Sequence, residues 1–127
     1  MQKHDIKIRS STEGREFDCY IVTPSSNNIG DKVPAVVLAS AVHGVNGDIR
    51  AMAEEFAARG YLAAAPDLFW RTVPGPLARD DGRLRTRSQP RLEVIRKGET
   101  DMVDTLSELK KYPQFNGKAI EIGRAHV

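Results

Sequence analysis

Cys19 is the only thiol in the chain and the first side chain to weigh as a nucleophile. A reactive thiol needs access and a basic neighbour that lowers its pKa. Cys19 faces the same way as Phe17 and Ile21 on an early strand-like segment, with no flanking glycine turn and no basic neighbour. It reads as a buried structural cysteine. Ser40 and His43 suggest a serine-histidine pair, but they stand close in sequence with no orienting acid and no sharp nucleophile turn. A triad is defined by convergent geometry, not by proximity along the chain. No G-x-C-x-G or G-x-S-x-G occurs between Met1 and Val127.

Arginines crowd one stretch: Arg71, Arg79, Arg83, Arg85, Arg87 and Arg91. A guanidinium offers a planar fork that suits a substrate carboxylate. The alternative is a solvated loop balanced by Asp80 and Asp81. Asp67 follows a strand-like run, where catalytic acids can sit, and is expected instead to tie down its own loop. His4, His43 and His126 are far apart, with no H-E-x-x-H and no cysteine pair, so no metal site is expected. Gly44-Val45-Asn46-Gly47 is too short for a dinucleotide fingerprint, and no cofactor is expected.

These residues need elements to hold them. Ile6 and Ile8 alternate with charged neighbours, and Phe17, Cys19 and Ile21 alternate across the Glu13-Gly14 turn, which predicts an edge hairpin ending at Pro24. Ser25 to Lys32 is a loop by composition. Val33-Pro34-Ala35-Val36-Val37-Leu38-Ala39 is a nearly continuous apolar run, as in a strand covered on both faces. Ile49, Met52, Ala53, Phe56 and Ala57 recur at helical spacing, with Asn46 or Asp48 as N-cap and Gly60 at the C-terminal cap. Tyr61 to Ala65 is a second buried strand closed by Pro66. An irregular stretch from Asp67 to about Gln89 precedes a helix over Pro90 to Lys111, with Ile95, Met102, Val103, Leu106 and Leu109 apolar. Lys118 to Ile122 starts a further strand. The order β-β-β-α-β-α-β implies an α/β fold with parallel strands and crossover helices after an edge hairpin.

Composition narrows the class. The 127 residues suffice for one small domain, and 40% hydrophobic with 28% charged is ordinary globular composition. A net charge of +2 gives no case for nucleic acid or an anionic membrane as partner. No apolar stretch reaches the roughly 20 residues of a membrane span. A polar start and one cysteine make the cytoplasm the default location.

Three segments together carry a family signature. They are Pro34 to Leu38 with Gly44-Val45-Asn46 and Ile49-Arg50; Gly60-Tyr61 with Ala64 to Phe69, Arg71 and Val73-Pro74-Gly75; and Asp101 to Leu109 with Asn116-Gly117-Lys118. In order and spacing the chain from about Ile6 to Ile120 resembles the N-terminal part of dienelactone hydrolases, members of the α/β-hydrolase superfamily. The resemblance implies hydrolysis of a small ester or lactone by a nucleophile-histidine-acid triad. The nucleophile sits in a strand-to-helix turn, which projects it above the sheet. All three triad residues are expected after Ile120, so no catalytic side chain is expected within this chain.

The resemblance also places a backbone role. One oxyanion N–H comes from the loop after the third strand. In Ala41-Val42-His43-Gly44 the donor position falls on Val42; the other reading is a plain strand-to-helix turn. Ala41 stands where well-known members carry a glutamate that interacts with the resting nucleophile. Alanine accepts neither a proton nor a hydrogen bond, so the nucleophile depends on its histidine, and a substrate other than a dienelactone is expected. Some members hold a substrate carboxylate with an arginine from the loop after the fourth strand. Arg85 is the choice here, and Ala41 and Arg85 are the candidate substrate-pocket residues.

Residues 121–127 stand apart. The DNA string GAG-ATC-GGA-AGA-GCA-CAC-GTC translates to these seven residues in order, and after its first base it resembles a widely used short-read sequencing adapter. A chain that ended inside a central strand would also leave an unpaired sheet edge. Residues 1–120 are expected to form a partial dienelactone-hydrolase-like domain and residues 121–127 a non-native tail. The rivals are a short α/β binding module without catalysis, and a basic nucleic-acid-binding loop with salt-sensitive affinity.

Overall fold

A computed structural model describes residues 1–25, 31–88 and 91–123. The expected loop residues Ser26 to Gly30, the expected helix start at Pro90, and Arg124 to Val127 with His126 lie outside the described residues. So do the side chains of Arg91 and Ile95.

The hairpin forms as the alternation predicts. β1 (Gln2–Arg9) and β2 (Glu16–Thr23) pair antiparallel from Gln2↔Thr23 to Arg9↔Glu16. Gly14, at φ +68°, occupies the left-handed region that the tight connection requires. β2 then pairs antiparallel with β4 (Leu62–Pro66), β4 pairs parallel with β3 (Val33–Ala39), and β3 pairs parallel with β5 (Phe115–Gly123). The sheet order is β1-β2-β4-β3-β5, so the early strand β3 lies between two later ones.

α1 (Gly47–Ala58) links β3 to β4. Of the two candidate caps, Asn46 does the work: its side chain accepts from the Ile49 N–H at 3.1 Å. At the other end Gly60 sits at φ +98° and donates to the Ala57 carbonyl at 3.0 Å, turning the chain into β4. α3 (Arg91–Leu109) carries the chain from β4 past β3 to β5.

The two crossover helices cover opposite faces. Ile49, Ala53 and Ala57 of α1 pack with Tyr20, Val22, Val36, Leu38, Ala63 and Ala65. Met102 and Leu109 of α3 pack with Phe17, Cys19, Ile21, Val37, Leu62 and Ala64. Residues 35 to 38 alternate between these clusters, which is why β3 reads as a continuous apolar run. Each fully buried Val, Leu or Ile contributes roughly 1.5–3 kcal/mol.

Three expectations change. A short helix, α2 (Leu84–Ser88), interrupts the stretch read as irregular. β5 starts at Phe115 rather than Lys118: Val33 pairs with Phe115, and the register shifts between Val33 and Ala35, around the N–H-less Pro34. Val103, read as part of the apolar stripe of α3, is 58% exposed. Among the described residues of α3 the buried ones are Gly98, Asp101, Met102, Asp104, Thr105 and Leu109, three of them polar, and Leu106 packs against the same core as expected. Glu121, Ile122 and Gly123 continue β5 opposite Val37, Leu38 and Ala39.

Candidate active site at the carboxyl end of the sheet

β3 is the point where the winding of the sheet reverses. Its crossover through α1 leads to β4 on one side, and the crossover through α3 returns to β5 on the other. In open α/β sheets the crevice outside the carboxyl ends of the strands at such a point is where ligands bind. Here Ala39 at the end of β3 stands opposite Gly123 at the end of β5. A cleft of about 620 Å³ lies beside them, bounded by Ala39, Ser40, Leu68, Phe69, Met102 and Gly123 among others.

The loop after β3 is held by three consecutive carbonyls. The Ala41 carbonyl accepts from the Gly44 N–H at 2.9 Å, the Val42 carbonyl from Arg87 Nη1 at 2.9 Å, and the His43 carbonyl from the Leu77 N–H at 3.0 Å. Gly44 sits at φ +77°, and a Cβ there would lie 2.8 Å from Arg87 Nη1 and 3.0 Å from the Gly75 carbonyl oxygen. The site requires glycine for its backbone angle and for the room it leaves.

The loop after β4 is held by Asp67 and Arg87. The Asp67 carboxylate accepts from the Phe69 N–H at 3.3 Å and the Gly75 N–H at 2.7 Å, as expected of a residue that ties down its own loop. Burial pushes its carboxyl up from the ordinary aspartate range, against the pull of those two N–H groups and of Arg87. Arg87 is fully buried. Its Nε and Nη2 donate to the Val73 carbonyl at 3.0 and 2.6 Å, and Nη2 also donates to the Gly75 carbonyl. Burial lowers the pKa of this guanidinium, and the nearby Asp67 charge opposes that shift.

The other candidates fall as follows. Ala41 and Val42 lie in the loop at the crevice, and Ser40 beside them is buried with its hydroxyl unpartnered among the described residues. His43 Nδ1 is likewise unpartnered, so these two atoms do not bond each other. His43 lines a separate cleft of about 390 Å³ with Asn46, Asp48 and Arg79. Cys19 is buried in the α3-side core, and burial pushes its thiol far up. Arg85 is exposed on α2. Arg83 pairs with Asp81 at 2.9 Å.

Arg71 is engaged elsewhere. It donates from both terminal nitrogens to Asp101, from Nε to Glu13, and lies over the Trp70 ring at 4.4 Å. Arg87, Asp101 and Asp104 are buried charges that the sequence reading did not single out. Asp101 had a signal, because its spacing from Gly98, Met102 and Thr105 puts an acid on the packed face of a helix. Arg87 had none that set it apart from its neighbours. Among the described residues no group of three or more His, Cys, Asp or Glu could hold a metal, and no helix is long and apolar enough to cross a membrane.

An edge hairpin, parallel strands joined by helices on both faces, and a crevice at the winding reversal define the N-terminal half of an α/β-hydrolase sheet. A model of the Dienelactone hydrolase family matches residues 17–123, and the chain belongs to that family. Over 71 residues it is 39% identical to a provisional carboxymethylenebutenolidase of Azospirillum brasilense, covering 56% of this chain and 29% of that protein. Carboxymethylenebutenolidase 1 of Cupriavidus pinatubonensis is 26% identical over 97% of this chain and 52% of its own length. A provisional dienelactone hydrolase structure from Klebsiella pneumoniae superposes with a TM-score of 0.73 at 19% identity, over 97% of this chain and 50% of that one. The chain thus spans about half the length, or less, of these relatives.

Proposed function

We propose that this chain forms the N-terminal half of a hydrolase that cleaves a small ester or lactone. The parallel pairing of β5 with β3, Ala119 opposite Ala35 and Ile120 opposite Val36, carries this reading. A nucleophile turn that follows β5 emerges beside the loop after β3, so the Val42 N–H reaches the oxygen of a carbonyl under attack at that nucleophile. The nucleophile, acid and histidine lie beyond Ile120. Ala41 borders the reacting carbonyl and supplies no proton acceptor, which leaves nucleophile activation to the histidine. Arg85 is held as a carboxylate contact for an anionic substrate. Residues 121–127 are a non-native tail on this reading.

The test is genomic and then kinetic. Resequencing the locus is expected to show a G-x-C-x-G or G-x-S-x-G motif within a few codons of Ile120. The complete protein is expected to hydrolyse p-nitrophenyl acetate, and the 127-residue chain to give no turnover above buffer. A stop codon directly after Val127, or turnover by the short chain that Ser40→Ala or Cys19→Ala abolishes, would overturn the assignment.

A further inference from the structure

Arg87 is an unusual residue for a short, polar helix such as α2. Its side chain is fully buried, yet every hydrogen bond it makes among the described residues goes to a backbone carbonyl rather than to a carboxylate. A charge in that position needs a strong structural reason. The carbonyls come from two separate loops. Val42 belongs to the loop after β3, and Val73 and Gly75 belong to the loop after β4. The fork fits this task because Nη1 faces one loop while Nε and Nη2 face the other. Gly44 completes the fit, since any larger residue would press a Cβ against Nη1.

We infer that Arg87 is the positioning residue of the oxyanion-binding loop. The inference rests on the hydrolase reading above and deepens it. A peptide unit is planar, so fixing the Val42 carbonyl fixes the direction of the His43 N–H on its far side. The Ala41 carbonyl, bonded to the Gly44 N–H, fixes the Val42 N–H in the same way. Arg87 touches neither substrate nor reacting atoms. It sets the aim of the His43 N–H and, packed against Gly44, holds in place the turn that carries the Val42 N–H, groups whose benefit depends on being placed before charge develops on the oxygen. Small displacements at such a site lower the rate by about 10²-fold.

The experiment uses the complete protein and p-nitrophenyl acetate. Arg87→Lys keeps the charge and loses the fork. It is expected to lower kcat by about 10–100-fold with KM within about threefold, the pattern of an interaction made in the transition state. Arg87→Ala is expected to lose at least as much and to recover part of it in low-millimolar guanidinium. Gly44→Ala attacks the same contact from the other side. Its effect combined with Arg87→Ala is expected to be no larger than that of either change alone. Amide hydrogen exchange supplies a readout that needs no turnover: residues 41–44 and 73–75 are expected to lose protection together in Arg87→Lys, while β3 and β4 keep theirs. An inactive wild-type protein would sink the hydrolase reading, and exchange at 41–44 would still decide the role of Arg87. An active wild type with full kcat and unchanged exchange in Arg87→Lys would overturn the positioning role. So would an Arg87→Lys protein that does not fold, which would make the guanidinium a general prop of the fold.

Discussion

Asp101 on α3 receives both terminal nitrogens of Arg71, at 2.7 and 2.8 Å, with no exposure of its own to water. The Trp70 indole N–H adds a third bond to the same carboxylate at 3.0 Å. This knot ties the loop after β4 to the helix that crosses to β5, and the Arg71 contact with Glu13 extends it to the hairpin turn. Removing one partner strands a buried charge. Asp101→Ala in the complete protein is therefore expected to lower unfolding stability by about 3–5 kcal/mol. Trp70→Phe keeps an aromatic ring over Phe17 and loses the indole bond, for about 1.5–3 kcal/mol. Urea unfolding followed by circular dichroism measures both. A loss below about 1 kcal/mol for Asp101→Ala would show that the knot contributes little.

Cys19 is expected to be silent toward thiol reagents in the folded protein. It is buried among Phe17, Ile21 and Ala64, and burial holds its thiol protonated far above neutral pH. Labelling with dithiobis-nitrobenzoate at pH 8 is expected only when the fold opens, and Cys19→Ala is expected to leave hydrolysis by the complete protein unchanged. Rapid labelling under native conditions would contradict the burial.

Tyr20 predicts an alkaline effect. Its hydroxyl donates to Glu54 Oε2 at 3.0 Å from the α1-side core, and burial, then the bond to Glu54 and its charge, raise the phenol pKa. The folded state thus holds the Tyr20 proton more tightly than the unfolded state, whose tyrosines titrate near 10. The stability this contributes is present below about pH 10 and is lost as pH rises through the higher folded value. Tyr20→Phe is expected to flatten stability against pH above about pH 10. Parallel curves for the two proteins would exclude Tyr20 as the source.

The 127-residue polypeptide itself is expected to self-associate. β5 forms one edge of the sheet, and Ile120 on it and Val103 on α3 are 55% and 58% exposed. An exposed strand edge with apolar side chains nearby recruits other strands. Size-exclusion chromatography is expected to show oligomers and near-UV circular dichroism a broad transition. Ile120→Lys is expected to shift the population toward monomer. A monodisperse monomer with a sharp transition above about 50 °C, in the range of intact domains, would show the opposite.

Much of this architecture was legible in the sequence, for local reasons. Alternation in Phe17, Cys19 and Ile21 and the helical spacing of Ile49, Ala53 and Ala57 each report one face of one element. Asn46 and Gly60 mark helix ends through their own backbone chemistry. What escaped depends on partners distant in sequence. α2 has a basic, non-periodic sequence and owes its place to Arg87, whose contacts are 12 to 45 positions away. Val103 looked apolar enough for the core, and only the spacing of Asp101 and Thr105 from Met102 and Leu109 hinted that polar residues share the buried face of α3. The β5 start at Phe115 follows from its pairing with Val33, a relation between strands and not a property of either one.

The place of β3 has a consequence for how the protein is made. Both of its neighbours in the sheet, β4 and β5, are encoded after it, so a ribosome delivers the most apolar strand before anything can pair with it. At about 5–20 residues per second, seconds pass between the emergence of Ala39 and that of Leu62. The β1–β2 hairpin, already complete, cannot shield β3, because its free edge belongs to β4. Nascent chains are therefore most exposed to chaperone capture and misassembly in that interval. Synonymous codons that slow translation between α1 and β4 are expected to lower the soluble yield more than the same codons placed within the hairpin.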